Sequence, residues 1–551
     1  MRAVFLVIAL MCVGASPVPG ESPTAKENVA RRVYSRLIKA IGDARPAPVL
    51  QFIHDGAGSA NRVAWFDPAT KTVALEERAY DICSSSGQDS LNAIAFLLGH
   101  ELAHYYKDHG WGGDFGSGNA DLSSGRAIGR TSGTLDEMLM IETQADEFGA
   151  FFGHLAGYQP LAVAPALLPA IYDGFHLSQR LPGYPSLPER VTIARRSAEH
   201  LESLIPMFEG AGRLLVIGGF RQAGVLFDEV ARVFPGREVL ANGGIARALE
   251  ATTLLDAHEW PWILPFEIDG TTRLRTRPSR GETEEERTQR FTYLLEEART
   301  LLEQARERDP EYAPVLTNLS LVCLLGRDDA FAMAFAAKAV MMARASGDTN
   351  DVAAALQARA IAAERGGSHA SALVDMREAA ALGSFTARFN MRVLEQGKIQ
   401  PPPQRKRASG LPSETIGGIA ARHASPGRHP DVDLCLPIAD CNDAGYRTGD
   451  VFRTGRVSLW RNSGWNLLAI QMGDTLLHLL RTTGGYTGRT QRGIALHDPA
   501  DRVQSAYGQP DATMLGREGE FEIYRSERIV FLLDAHRSVQ EWFIFDTGVD
   551  Q

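Results

Sequence analysis

The sequence predicts a multidomain α+β protein in three parts: a mainly helical N-terminal domain with a small β-ribbon, an α-helical stretch of repeats, and a strand-rich C-terminal module. Three observations lead there. The 551 residues are more than a single hydrophobic core organises. Apolar residues recur at helical spacing as far as Gly397, and beyond the run Pro401-Pro402-Pro403-Gln404-Arg405-Lys406-Arg407 they give way to short apolar runs between turn residues.

Composition is that of an ordinary globular chain, 44% hydrophobic and 23% charged. A formal net charge of -10, with no Lys/Arg stripe interleaved with aromatics, argues against nucleic acid and against an anionic membrane surface as partners. Residues 1–15 join Arg2 to a short apolar run ending Val13-Gly14-Ala15, the pattern of a signal peptide cut after Ala15. The run falls short of the ~20 apolar residues of a spanning anchor, and Met11 stands before Cys12 where lipid attachment needs a small residue. The nearest later apolar run, 160–171, contains three prolines. A secreted chain with no transmembrane span in its mature form is therefore expected. Of the remaining cysteines, Cys435 and Cys441 are close enough in sequence to form a local disulfide, whereas Cys83 and Cys323 read as buried thiols; none has zinc-site spacing.

The first domain, 27–205, reads as helix, hairpin, helix, loop, helix. Runs at 63–66 and 72–76 flank Asp67-Pro68-Ala69-Thr70, where Pro68 suits the second position of a tight turn. Asp89 or Ser90 caps a helix with Leu91, Ile94, Leu97 and Leu98 on its apolar face, and Gly110 ends it. The Gly/Ser-rich stretch 110–134 is either a lid or a plain linker, and 135–155 is a strongly apolar helix. In 206–397 a spacing recurs: Ala223, Phe227 and Pro235; Ala298, Leu302, Ala305 and Pro310; Ala332, Ala336 and Ala339; Ala372, Met376 and Ala379. Small residues that let paired helices stack, with proline at the helix end, make the tetratricopeptide pattern, whose stacks offer a groove for peptides or partner proteins. The alternative is an irregular helical spacer. The segment 260–289 interrupts this pattern with no assigned place. A stiff linker, 398–412, precedes the module 413–551, with strand-like runs at 457–460, 467–470, 476–480, 529–533 and 542–545. Residues 501–507 read as a packing helix ended by Gly508-Gln509-Pro510, and His478 and His497 as structural, since neither has a companion at ligand spacing.

The chemistry is concentrated in His100-Glu101-Leu102-Ala103-His104. Positions four apart share a helix face, so His100 and His104 can present ring nitrogens to one metal while Glu101, further round, reaches a metal-bound water. A zinc hydrolase takes three protein ligands and leaves one position for water. Glu142 is the candidate third ligand, with Asp146 one turn on to accept from the free N–H of a zinc-bound histidine; Glu137 and Glu147 are rivals without an acidic residue at plus four. Ala145 and Gly149 are small enough to let this helix approach the first.

The order His-Glu-x-x-His, Glu142-Thr143-Gln144-Ala145-Asp146, then Tyr184-Pro185-Ser186-Leu187-Pro188-Glu189-Arg190 resembles the gluzincin family of HtpX-like and CAAX-prenyl proteases, over roughly residues 27–203. The resemblance implies a zincin-like peptidase domain binding one Zn2+ through His100, His104 and Glu142, with Glu101 as general base. Tyr184 stands where the family has an oxyanion-stabilising His. A phenol can donate in that role, or Tyr184 packs as a rim aromatic. Arg190 is expected to brace the Tyr184 loop or a helix end. With export and following repeats, the chain resembles the family's periplasmic beta-barrel assembly-enhancing type. Strand 72–76 could then take an extended substrate as an added strand. The leading expectation is an exported zinc endopeptidase acting on misfolded or damaged envelope polypeptides, with the repeats recruiting substrate or an envelope protein. The second is a chaperone-like scaffold with a gated or vestigial site, and the third an autoinhibited enzyme whose cleft the 110–134 loop or the repeats plug until a partner binds.

Overall fold

The computed structural model describes residues 24–43, 45–54, 62–67, 69–106, 134–180, 186–255, 260–268, 270–271, 284–396, 413–421, 434–441, 455–461, 465–472, 475–516, 519–534 and 536–546. The expected signal segment, residues 110–133 of the expected loop with its Gly110 helix stop, Tyr184 and the 398–412 linker lie outside them. The chain is α+β, and it divides into two compact units: residues 1–40 with 47–195, and residues 41–46 with 196–551.

In the first unit, α1 (Ala25–Ile41) precedes a sheet of β1 (Val49–Ile53), β2 (Ala64–Asp67) and β3 (Thr72–Glu76), ordered β1-β3-β2. The ribbon β2–β3 forms as the turn chemistry predicts, Phe66 pairing with Val73. The Asp67 carboxylate closes its turn by accepting from the Ala69 N–H (2.9 Å) and the Thr70 hydroxyl (2.8 Å). Strand β1 was not anticipated. It pairs in parallel with β3, Leu50 opposite Val73, and a parallel neighbour has no turn sequence to announce it. This corrects one expectation: β3 is the middle strand with both edges paired, so it cannot take a substrate strand. Among the described residues, the outer strands of this sheet are β1 and β2.

Helices α2 (Glu77–Ser84), α3 (Ser90–Tyr106), α4 (Thr134–Leu155) and α5 (Pro160–Gly174) complete the unit, α3 packing against the other three and against β2. That central place explains why α3 is buried on nearly every face, Ala93, Phe96 and Leu98 included; Leu91, expected in the core, stands in the first turn and is exposed. The contact of α3 with α4 is backbone against backbone. A Cβ added to Gly99 would lie 2.6 Å from the Gly149 carbonyl oxygen, and one added to Gly149 would strike the backbone of Gly99 and His100. Cys83 and Cys323, as expected, are buried free thiols; burial pushes the Cys83 thiol up to about 12.

In the second unit, α6 (Leu187–Ile217), which spans the division between units, is followed by α7 (Phe220–Val233), α8 (Arg237–Thr252), α9 (Glu284–Arg308), α10 (Ala313–Leu325), α11 (Asp329–Ser346), α12 (Thr349–Arg365), α13 (His369–Ala381) and α14 (Phe385–Gln396). From α7 on, each helix packs on the next, and α10 also packs on α12. Ala223, Phe227, Ala298, Leu302, Ala305, Ala332, Ala336, Ala339, Ala372, Met376 and Ala379, singled out by their spacing, are all buried in these contacts. Two of the turns repeat one geometry. Arg327 and Gly367 take left-handed backbone, and the next residue's N–H returns to the helix, Asp328 to Cys323 and Ser368 to Ala363, each at 2.8 Å.

The strand-rich region forms a sheet ordered β4-β5-β10-β11-β12-β13-β9-β8-β7-β6. Its strands are β4 (Glu267–Ile268), β5 (Gly270–Thr271), β6 (Leu434–Cys441), β7 (Gly455–Arg461), β8 (Trp465–Met472), β9 (Thr475–Thr482), β10 (Ala512–Gly516), β11 (Gly519–Tyr524), β12 (Ile529–Leu533) and β13 (Val539–Asp546). The five anticipated runs are β7, β8, β9, β12 and β13. Strand β11 was missed because Glu522 points into the core; the Tyr524 hydroxyl, Gln504 and Arg537 satisfy its carboxylate. The helix α15 (Ala500–Tyr507) ends at Gly508 as read, burying Val503 and Tyr507 beneath the sheet. Part of the unplaced insertion supplies β4 and β5, joined to β10 at Gly270 and Gly516.

A Cys435–Cys441 disulfide is not compatible with β6. Both residues lie on that one extended strand, opposite Trp460 and Gly455, and six steps of about 3.3 Å separate them far beyond the ~4.4–6.8 Å a disulfide spans. Within this unit α6 is tied to the sheet by buried charges: Arg213 donates to Glu541 (2.9 Å), and Arg481 bridges Glu541 (2.6 Å) and Glu209. Among the described residues no helix is long and apolar enough to cross a membrane.

The Gly99–Gly149 contact gives a direct test. Gly149→Ala is expected to cost about 1–3 kcal/mol through overpacking and to lower the thermal unfolding midpoint. Gly212→Ala, at a helical position with open space around it, is expected to gain about 0.5–1 kcal/mol. Equal midpoints for the two variants in circular-dichroism melts would refute the close approach.

Candidate metal centre

The site is assembled from three helices of the first unit. From α3 come His100 and Glu101, both buried, and the half-buried His104. From α4 comes Asp146, buried one helical turn before Gly149 on the face that meets α3. From the start of α6 comes Arg190. That start is a capping box: the Glu189 carboxylate accepts from the Ser186 N–H (3.2 Å) and hydroxyl (2.9 Å), and the Arg190 N–H returns to the Ser186 carbonyl (2.8 Å). The Ser-x-x-Glu spacing is a cap signal that the sequence reading did not use, and it sets Arg190 in the helix's first turn.

Arg190 Nη2 donates to both Asp146 oxygens, at 2.8 and 2.9 Å, and Asp146 Oδ1 lies 2.8 Å from His100 Nδ1. The Arg190 guanidinium thus stands behind His100 by way of the Asp146 carboxylate, and the Tyr184 loop that it was expected to brace lies outside the described residues. Burial by itself would raise the Asp146 pKa, but the Arg190 charge and the interactions with His100 outweigh it and hold the group below the ordinary 3.8. An ionised carboxylate only accepts, so the proton of this contact sits on His100 Nδ1 and the lone pair of the neutral ring on Nε2.

That Nε2 faces the Nε2 of His104 at 3.1 Å, the rings near perpendicular at 80°. At the Zn–N length of about 2.0–2.1 Å, nitrogens so spaced would subtend roughly 100° at a shared ion, close to tetrahedral. The donor set therefore fits a zinc ion, with two imidazole nitrogens converging and the outer nitrogen of one already anchored. By helical phase Glu142 stands one turn before Asp146 in α4, whereas Glu147 is about 100° and Glu137 about 180° round the helix from Asp146. The Glu142 side chain lies outside the described residues, among which no group of three His, Cys, Asp or Glu side chains gathers in ligand geometry. Beside the site, Phe66 of β2 packs on Tyr105 of α3, ring centroids 5.4 Å apart. Sequence reasoning missed Gly99. Its signal was a glycine directly before His100, in a helix interior where glycine is costly without a packing reason.

A comparison with protein-family models finds no match, and neither does a comparison with curated proteins.

Asp146 is ionised in the fold at a pH where its unfolded counterpart is protonating. Its stabilising effect is complete above the ordinary carboxylate pKa and is lost as pH falls through its lower folded value. Asp146→Asn is expected to flatten the acid limb of the stability curve and, by removing the buried carboxylate charge that Arg190 and His100 share, to cost about 3–5 kcal/mol at neutral pH. Denaturant titrations of the two proteins from pH 7 to 3 would check both, and an unchanged acid limb would count against the Arg190–Asp146–His100 relay.

Proposed function

We propose that this chain is an exported zinc-dependent endopeptidase of the gluzincin type. The observation that supports the reading best is the convergence of His100 and His104 through Nε2 while Asp146, itself held by Arg190, anchors the far side of the His100 ring. His100, His104 and Glu142 would hold the metal. Zinc, when bound, supplies a Lewis acid that lowers the pKa of water to about 7 and polarises a carbonyl. Glu101, next along the helix from His100, would take the proton from the attacking water and return it to the leaving amine. Asp146 and Arg190 keep His100 in a single tautomer and orientation. Tyr184 is the candidate donor to the developing oxyanion. An intact Glu101 favours catalysis over a zinc-stabilised scaffold, which has no use for a base.

For an extended polypeptide, β2 is the favoured docking strand. It is an outer strand, and it is the one that packs beside α3 through Phe66 and Tyr105. Backbone pairing at such an edge would make sequence preference broad, as a protease for misfolded or damaged envelope proteins requires. The competing reading, a chaperone-like scaffold acting through its helical repeats, makes the opposite prediction for the base.

Metal content and casein cleavage of the purified chain separate these readings. The parent is expected to hold about one zinc per chain and to cleave casein. Glu101→Gln should keep the metal and lose at least about 99% of the activity, since general-base catalysis supplies roughly 10²–10⁴-fold. His104→Ala and Glu142→Ala should lose the metal. Zinc-loaded parent without cleavage would favour the scaffold, and folded parent that takes up no zinc would sink the assignment.

A further inference from the structure

The helical repeats already hold one extended segment of polypeptide, and it is the chain's own. Residues 260–266, Trp-Pro-Trp-Ile-Leu-Pro-Phe, form neither helix nor strand, yet Leu264, Pro265 and Phe266 are buried. The segment is held through its main chain. The side-chain amide of Asn390, fully buried on α14, accepts from the Ile263 N–H (2.9 Å) and donates to the Ile263 carbonyl (2.7 Å) across 127 residues of sequence. A side-chain amide that takes both the N–H and the C=O of one residue copies the exchange made between paired strands, and it does so whatever side chain that residue carries.

The Asn390 amide is oriented from behind. Its Nδ2 also reaches Gln357 Oε1 of α12 at 3.4 Å, and that oxygen accepts from the Thr386 hydroxyl at 2.7 Å. Gln357 Nε2 is spent on the Ala353 carbonyl and the Ser384 hydroxyl, each at 3.1 Å. At the segment's start, the Arg365 guanidinium, paired with Asp329 (2.7 Å), lies 5.3 Å from the ring centre of Trp260. The fit is incomplete, because among the described residues the buried Trp260 indole N–H meets no acceptor.

We propose that the helices α12 and α14 form a binding site for an extended apolar polypeptide rich in aromatic residues and proline, and that residues 260–266 occupy it as an internal ligand which such a polypeptide displaces. Main-chain recognition by Asn390 makes the site tolerant of sequence, and the Arg365–Trp260 contact gives it a preference for an aromatic residue three positions before the clamped one. The inference does not rest on the metal centre, and its test reads binding alone.

The test uses the full chain and a fluorescein-labelled synthetic peptide copying residues 260–266, with a scrambled peptide as control. In anisotropy titrations the double variant Trp260→Ala/Ile263→Pro, which removes the stacking ring and the N–H given to Asn390, is expected to bind the peptide at least about tenfold more tightly than the parent. Adding Asn390→Ala should return binding to the parent's level. A folded double variant that binds no more tightly, or tight binding indifferent to Asn390→Ala, would overturn the proposal. Hydrogen exchange on the parent tests it without any variant. The Ile263 amide should exchange faster than the buried amides of α12, and faster still with excess peptide. Exchange as slow as α12 and unmoved by peptide would mean that 260–266 is permanent core. A parent dimer that the double variant abolishes would mean that the site takes the same segment of a second copy, and would also overturn it.

Discussion

The contact between Gly99 and Gly149 sets the distance between α3 and α4, and the candidate centre depends on that distance. Two helices meeting through ordinary side chains lie 8–10 Å apart, and the short Asp146 carboxylate would not then reach the ring of His100. With no Cβ on either side, the backbones touch, and Asp146 and His100 meet at 2.8 Å although both are among the most buried polar groups of their helices. Both glycines carry an unfavourable helix propensity, roughly 1 kcal/mol each relative to alanine. The close approach offsets it with an interaction available at no other separation.

That interaction puts a buried anion between a guanidinium and an imidazole. Isolated, the Asp146 carboxylate would be costly to bury. The charge of Arg190, whose Nη2 donates to both carboxylate oxygens, keeps it ionised, and being ionised it dictates the His100 tautomer. The direction of the His100 lone pair is therefore decided by a residue 90 positions away, through a capping box that settles where α6 begins. Ser186 is hydrogen-bonded to Glu189 and to the Arg190 N–H, Arg190 to Asp146, and Asp146 to His100, a connected path in which each bond is 3.2 Å or less.

The second unit uses buried polar groups in another way. Arg213, Glu541 and Arg481 fasten α6 to the sheet, and Asn390 with Gln357 fastens the segment 260–266 to α12 and α14. In the first cluster cations and carboxylates share charge-assisted bonds within one buried network. In the second, neutral amides bind main chain, the kind of contact that a different segment could make equally well.

Local pattern was enough for much of this protein. The helical period placed α3 and α4, the Asp67 turn placed the β2–β3 ribbon, and alanine spacing marked residues that prove buried from α7 to α13. The His100, His104 and Asp146 grouping was legible because helix geometry makes residues four apart neighbours, and Gly149 was legible as a small residue at the same face. Other features depend on pairs distant in sequence, and a one-dimensional pattern carries no trace of which partner will come. Tertiary structure alone decided that β1 would close the edge of β3, that Gly99 would meet Gly149, that Arg190 would brace Asp146, and that Asn390 would clamp Ile263. The sequence by itself determined which chemical groups stand on each element. Packing determined which of them meet, because hydrogen bonds and close contacts depend on distances that only the folded chain sets.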